Sequence, residues 1–213
     1  MGIDFSMIVI NDGSRDATSE RLHSFFADPC IEVINKPNSG HGPTILMGYR
    51  QAVGMADWVF QCDSDNEMHA EYFPSLWRMR DKYDAIFGYR EGRTQVTGRK
   101  LISTISRVTV RLLYGDGIRD VNTPYRLMRS TILGPIVERI PEDTFAPNVV
   151  ISGVIARSHL RIINIPIPHE SRRTGRVSIV KWRLWHAAVR SFVQTLQIRS
   201  SMSEVVRELR RMN

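Results

Sequence analysis

The chain has 213 residues, 42% hydrophobic and 24% charged, with a formal net charge of +7. That composition fits a folded α/β domain with its own core and excludes a disordered chain; having only Cys30 and Cys62, it also excludes a disulfide scaffold and fits a reducing compartment. No apolar stretch approaches the roughly 18 residues a membrane-spanning helix needs, and the start MGIDFSMIVINDGS lacks the basic-then-apolar pattern of a signal peptide.

Short apolar runs alternate with helical patterns, as in a largely parallel sheet covered by helices. Residues 7–10 read as a strand broken by Asn-Asp-Gly, and a helix follows with Ala17, Leu22, Phe25 and Phe26 on one face. Residues 31–34 read as a second strand. Pro43 suits the first turn of a helix whose stripe is Ile45, Tyr49, Ala52 and Val53. Residues 58–62 form a third strand, Tyr72, Leu76, Met79 and Tyr83 mark a helix, and residues 85–88 make a short strand. Leu101, Ile105, Val108 and Leu112 recur at helical spacing. Farther on, residues 126–128 read as a strand, 148–157 as a helix, 162–167 as a strand ended by Pro166 and Pro168, and 178–199 as a long final helix. With no internal repeat or low-complexity linker, one domain over residues 1–177 is expected, followed by a basic amphipathic segment over 178–213.

Charge is uneven. Residues 151–213 carry 12 Lys+Arg and 3 Asp+Glu, which leaves 17 basic and 19 acidic residues in the rest. A basic last third seeks phosphates on a lipid surface, a phosphorylated acceptor or nucleic acid, or is simply a solvated face.

In open parallel sheets ligands bind beyond the carboxyl ends of the strands, and two polar clusters fall there. The first is Asn11-Asp12-Gly13-Ser14-Arg15-Asp16, between a strand and a helix, where acidic groups can accept hydrogen bonds from a base or ribose. The same residues also serve as a turn and helix cap. The second is Asp63-Ser64-Asp65-Asn66-Glu67, after WVFQC. Two carboxylates two residues apart can converge on a hard cation, with Glu67 a third ligand. All-oxygen ligation points to Mg²⁺ or Mn²⁺ bridging diphosphate oxygens. A solvated acidic loop is the plainer alternative.

Taken in order, VINDGSRDAT, NKPNSGHGPTILMGYRQA, WVFQCDSDNE and GYREGR resemble family 2 glycosyltransferases, and within them the polyprenol-phosphate and dolichol-phosphate sugar synthases. The later stretches RKLISTISRVTVRLLYGDGIRDVNTPYRLMR and APNVVISGVIARSHLRIINIPIPHESRRTGRVS resemble the acceptor-side and closing regions of those enzymes. The resemblance implies the Rossmann-like GT-A fold: α/β, a mostly parallel central sheet flanked by helices, here with a C-terminal amphipathic helix. It also implies a nucleotide pocket containing Asp12, with Asn11 and Asp16 beside it and Asn38 and His41 facing the nucleotide. Asp63 and Asp65 match the family's Asp-x-Asp motif, Asp65 being the firmer metal ligand, Asp63 contacting ribose, metal or both, and Glu67 a third metal contact. Arg90 matches an arginine after the fourth strand. Arg99, Arg126, Arg172 and Ser178 are implied phosphate or acceptor contacts, Arg126 near the chemistry, and Asp120 is the acidic residue near the reaction centre.

The implied reaction is inverting transfer from a UDP- or GDP-sugar, through an oxocarbenium-like transition state. A lipid-phosphate acceptor needs no base; a hydroxyl acceptor would make Asp120 the general base. In the final helix Trp182, Trp185, Val189, Phe192, Val193 and Leu196 form an apolar stripe, with Lys181, Arg183, Arg190 and Arg199 largely elsewhere. Such a helix lies in a bilayer interface or packs on its own domain. The expected setting is cytoplasmic, peripheral on the inner face of the membrane, with a homo-oligomer allowed and nucleic acid disfavoured for want of any recognisable motif. Related proteins begin with a further apolar strand and helix ahead of the Asp-Gly-Ser segment. Here Asp12 follows Met1 by only eleven positions, which would leave a gap within the sheet. A start lying upstream, a fragment, or a repositioned segment 2–10 would each account for it, and a shortened start is the favoured expectation. The competing readings are a metal-dependent nucleotidyltransferase, although no Gly-rich basic loop follows the first strand, and an inactive truncated relative that binds a membrane surface.

Overall fold

The computed structural model describes residues 2–91, 117–168 and 181–212. Six strands are described: β1 (Met7–Asp12), β2 (Ile31–Lys36), β3 (Trp58–Gln61), β4 (Ala85–Glu91), β5 (Arg126–Arg129) and β6 (Ile162–Pro168). The helices are α1 (Thr18–Leu22), α2 (His41–Ala52), α3 (Phe73–Trp77), α4 (Ser130–Arg139), α5 (Pro147–Arg157) and α6 (Lys181–Arg211). The helical repeat at Leu101–Leu112 lies outside the described residues.

β3, β5, β4 and β6 form one sheet in that order. β5 runs against both neighbours while β4 and β6 are parallel, so three of the four strands point the same way. β1 and β2 pair in parallel as a separate two-stranded sheet. Among the described residues no strand joins the two sheets. Helix α2 spans both: Gly48 lies against Ile10 of β1, and the adjacent Tyr49 reaches Gln61 of β3.

Alternation along the strands sorts side chains between two cores. Val59, Ala85, Phe87 and Met128 face the larger one, shared with Leu46 of α2, Ile132, Leu133, Ile136 and Val137 of α4, and Val150, Ile151 and Val154 of α5. Ile86 and Leu127 face the smaller one, with Leu76, Tyr125 and the partly buried Phe60, Phe73 and Trp77. Each fully buried aliphatic side chain contributes about 1.5–3 kcal/mol. The second half of α6 joins the larger core through Ile198, Met202, Val205, Val206 and Leu209.

Three local expectations need correction. The first helix is a single α turn followed by a 3₁₀ turn, and Phe25 and Phe26 are exposed, because no element packs an apolar face over them. The helix of Tyr72 and Leu76 ends at Trp77, with Met79 and Tyr83 in the turns beyond. β6 continues through Pro166, opposite Tyr89. A proline is tolerated there because β6 is an edge strand among the described residues.

Asp84 fastens the sheet at the starts of β4 and β6. Its carboxylate accepts from the Arg161 backbone N–H (3.1 Å), Nε (3.0 Å) and Nη2 (2.7 Å), and pairs with Arg129 Nε at 3.4 Å. Burial pushes its pKa up, but the Arg161 bonds and charge, with Arg129, outweigh that and hold it below the ordinary carboxylate value. A depressed folded-state pKa stabilises the fold above about pH 4, the unfolded value, and that contribution fades as pH falls through the folded value. Asp84→Ala is therefore expected to lose about 2–3 kcal/mol at neutral pH in urea unfolding. The difference from the parent protein should shrink in acid.

Candidate active site

The turn after β1 is built around one carboxylate. Gly13, at φ +69°, adopts a conformation that side chains rarely take, and an added Cβ would meet the Asn38 backbone nitrogen at 2.7 Å. That close approach lets Asn38 Nδ2 donate to the Asp12 carbonyl (2.8 Å). It also lets the backbone N–H groups of Ser39 (2.8 Å) and Gly40 (2.9 Å) reach the two Asp12 carboxylate oxygens. Lys36, opposite Asp12 in the β1–β2 register, pairs with the same carboxylate and also donates to Ser39 Oγ (2.6 Å). Burial alone would raise Asp12, but Lys36, the Ser39 and Gly40 amides and the Thr44 hydroxyl lower it to about 2. Asp12 thus acts from within the loop, holding residues 38–40 in place.

Gly40, at φ +94°, precedes α2, and Gly42 in the helix's first turn lies so close to residues 144 and 145 that a Cβ would overlap their carbonyl oxygens. α2 is thereby fixed with His41 at its tip. Asn11 is buried: its Nδ2 donates to Asn35 Oδ1 (2.8 Å) and its own Oδ1 accepts from the Ser14 N–H (3.1 Å). Asp16 is exposed and closes a turn with Thr18.

The second cluster gathers at the ends of β3 and β4. Burial dominates Asp63 and raises its pKa; the His41 and Arg90 charges and the Gln61 amide oppose this, and Asp65 adds to it. His41, Asp65 and Arg90 are each close enough to act electrostatically on Asp63. Arg90 Nε lies 3.6 Å from Asp120 Oδ2, and Asp120 Oδ1 accepts from the Asn122 N–H at 3.3 Å. Asp65 Oδ1 accepts from the Glu67 N–H at 3.1 Å, which curls the loop through Asn66 at φ +56°. Among the described residues no three His, Cys, Asp or Glu side chains converge as a metal cage. Two carboxylates still suit Mg²⁺ or Mn²⁺, which usually take one or two from the protein and the rest from water and substrate phosphates.

Arg126 is 0% exposed. Its guanidinium donates to the carbonyls of Thr123 (2.7 and 2.9 Å), Val121 (3.3 Å) and Asn148 (3.2 Å) and to Ser152 Oγ (3.3 Å). It braces the loop that carries Asp120 against α5, and no face of it is open to a substrate. Arg99, Arg172 and Ser178 lie outside the described residues.

The sequence profile of glycosyl transferase family 2 matches residues 2–136. The chain belongs to that family. Among family 2 relatives, undecaprenyl-phosphate 4-deoxy-4-formamido-L-arabinose transferase of Pectobacterium atrosepticum is 28% identical over 179 residues, covering 82% of this chain and 53% of that protein. The enzyme of the same name from Pseudomonas fluorescens is 28% identical over 177 residues, covering 81% of this chain and 50% of that protein. The chain thus spans about half the length of these relatives. Among solved structures it is similar to glucosyl-3-phosphoglycerate synthase from Mycobacterium tuberculosis in complex with Mn²⁺, UDP and glucosyl-3-phosphoglycerate. The TM-score there is 0.63 at 14% identity, over 92% of this chain and 69% of that one. S. aureus TarS matches with a TM-score of 0.53 at 18% identity, over 78% of this chain and 31% of that one. The fold is GT-A. Within this family 2 domain the sequence reading overlooked Lys36, which the pairing of β1 with β2 sets against Asp12, and Gln61, the polar residue ending an apolar strand.

Proposed function

We propose that this chain transfers a sugar from a UDP- or GDP-sugar to a polyprenyl-phosphate lipid, with inversion at the anomeric carbon. The observation that carries this reading is the meeting of Asp63, Asp65, His41, Arg90 and Asp120 at the strand ends, next to the Asp12-held loop. Asp63 and Asp65 would hold a divalent cation, which when bound offsets charge on the departing diphosphate. The ordered loop at residues 38–40 and His41 border the donor side. An oxygen of the acceptor phosphate bonds to C1 while the C1–O bond to the diphosphate breaks, and that electron pair leaves with the nucleoside diphosphate. No proton needs to move. This agrees with Asp120, whose carboxylate is engaged by Arg90 and the Asn122 N–H rather than free to act as a base. Its proposed task is to aim Arg90 at the phosphates.

Relatives named for undecaprenyl phosphate support the lipid acceptor, and so does α6. Val189, Phe192, Val193 and Leu196 are exposed at helical spacing on its first half beside the exposed Arg190, whereas the second half buries its apolar face in the larger core. We read the first half as lying on an anionic membrane surface; no helix among the described residues is long and apolar enough to cross one. Changing Phe192 and Val193 together to aspartate is expected to lower flotation with phosphatidylglycerol vesicles at least about tenfold. The function itself is tested with radiolabelled UDP- and GDP-sugars, Mn²⁺ and undecaprenyl phosphate. Label should move into the organic phase with one pair, and failure with every donor would refute the reading.

A further inference from the structure

We propose that Gln61 is a positioning residue for Asp63, held in that role by Tyr49 and Asn148; this rests on the reading of Asp63 as a cation-holding group. β3 is apolar until its last residue, and alternation turns Gln61 toward the larger core, where the register sets it opposite Arg126. A polar side chain on that face needs partners. Gln61 Oε1 accepts from the Tyr49 hydroxyl and from Asn148 Nδ2 (3.0 Å), leaving Nε2 directed at Asp63 Oδ1, 3.4 Å away. The reverse orientation of the amide would set Oε1 against a carboxylate, so the network and the aspartate select the same one.

The far side of the network is fixed as well. Tyr49 and Asn148 are each only 2% exposed. Tyr49 sits in α2, the helix that carries His41, and Asn148 lies in the first turn of α5. The Asn148 carbonyl accepts from Arg126 Nη1 at 3.2 Å. Gln61 therefore transmits the rigidity of two helices and β5 to a loop carboxylate with no backbone ladder of its own. Partners one step removed from a metal ligand commonly change metal affinity 10–100-fold when removed, because they decide where the ligand oxygen points.

The test is Mn²⁺ binding to the full chain, read from the loss of the free-ion EPR signal, with UDP or GDP present and thermal melting as a fold control. Gln61→Met is expected to weaken binding about tenfold or more and Tyr49→Phe about threefold or more. The Tyr49 hydroxyl touches Gln61 Oε1 and also Asn148 Oδ1 (3.1 Å), which in turn holds Gln61. Both routes to Asp63 pass through Gln61, so the double variant should bind no more weakly than Gln61→Met alone. Tyr49→Phe deletes a single oxygen, so it decides the matter even if Gln61→Met fails to fold. Parent-like affinity in Tyr49→Phe, or independent losses in the double variant, would overturn the proposal. If the parent protein itself takes up no Mn²⁺, the metal-binding reading of Asp63 falls first and this inference with it.

Discussion

Changing Asp65 to asparagine is expected to lower sugar transfer on the order of 10³-fold while leaving the melting temperature nearly unchanged. The size follows from removing one of the two carboxylates proposed to hold a cation, whose charge would stabilise the departing diphosphate by several kcal/mol. Asparagine is the informative replacement. It keeps an oxygen that can accept the Glu67 N–H, now 3.1 Å from Asp65 Oδ1, so the turn through Asn66 survives while the charge disappears. Alanine would remove both and mix a loop effect with the electrostatic one. Glu67→Gln serves as the contrast. No cage of three His, Cys, Asp or Glu side chains forms among the described residues, so losing the Glu67 charge should cost less than about tenfold. Initial rates at saturating donor, together with Mn²⁺-dependent donor binding, separate the two variants. Parent-like transfer by Asp65→Asn would end the metal-dependent reading.

The strands were legible because their signals are local and redundant. Met7–Asp12, Ile31–Lys36, Trp58–Gln61 and Ala85–Glu91 are apolar runs of strand-forming residues bounded by turn formers, and each lies within a few residues of its expected place. Helix α4 was not legible. Its Gly134-Pro135 pair reads as a break, and propensity yields there to packing, since Ile132, Leu133, Ile136 and Val137 are all buried. The site shows the same division. Position after a strand points to Asp63 and Asp65, because ligands bind beyond strand ends in a sheet of this kind, whereas Arg90 and Asp120 are implied only by the family resemblance. The direction each side chain faces was not available from order. Asp12 and Asn11 occur where a nucleotide pocket is expected, yet both spend their polar atoms inside the protein, on residues 38–40 and on Asn35. Only tertiary contacts reveal that an acidic residue beside a ligand space can be shaping the loop instead of touching the ligand.

Arg126 gives the sharpest case and the second large effect. Its position in RDVNTPYR suggests a phosphate contact, but its guanidinium is enclosed by carbonyl oxygens and lies 5.3 Å from the Phe87 ring centroid. Burial pulls its pKa down, and Tyr49, Asp120 and Asp63 counter that pull. Arg126→Met should preserve much of the volume while leaving the Val121, Thr123 and Asn148 carbonyls without their donor in a dry interior. The expected cost is about 3–5 kcal/mol, a fall in melting temperature of roughly 10 °C or more for a chain of this size. Transfer should fall as well, because the loop holding Asp120 loses its brace. Arg90→Met should behave in the opposite way. Arg90 retains slight exposure where Arg126 has none, and it pairs with Asp120 at 3.6 Å, so its removal should cost less stability than that of Arg126. Transfer should nevertheless drop steeply, because Arg90 is the residue proposed to face the donor phosphates. Melting curves and rates for the two variants, measured side by side, distinguish a brace from a substrate contact. A folded Arg126→Met protein with an unchanged melting temperature and lost transfer would return Arg126 to the substrate.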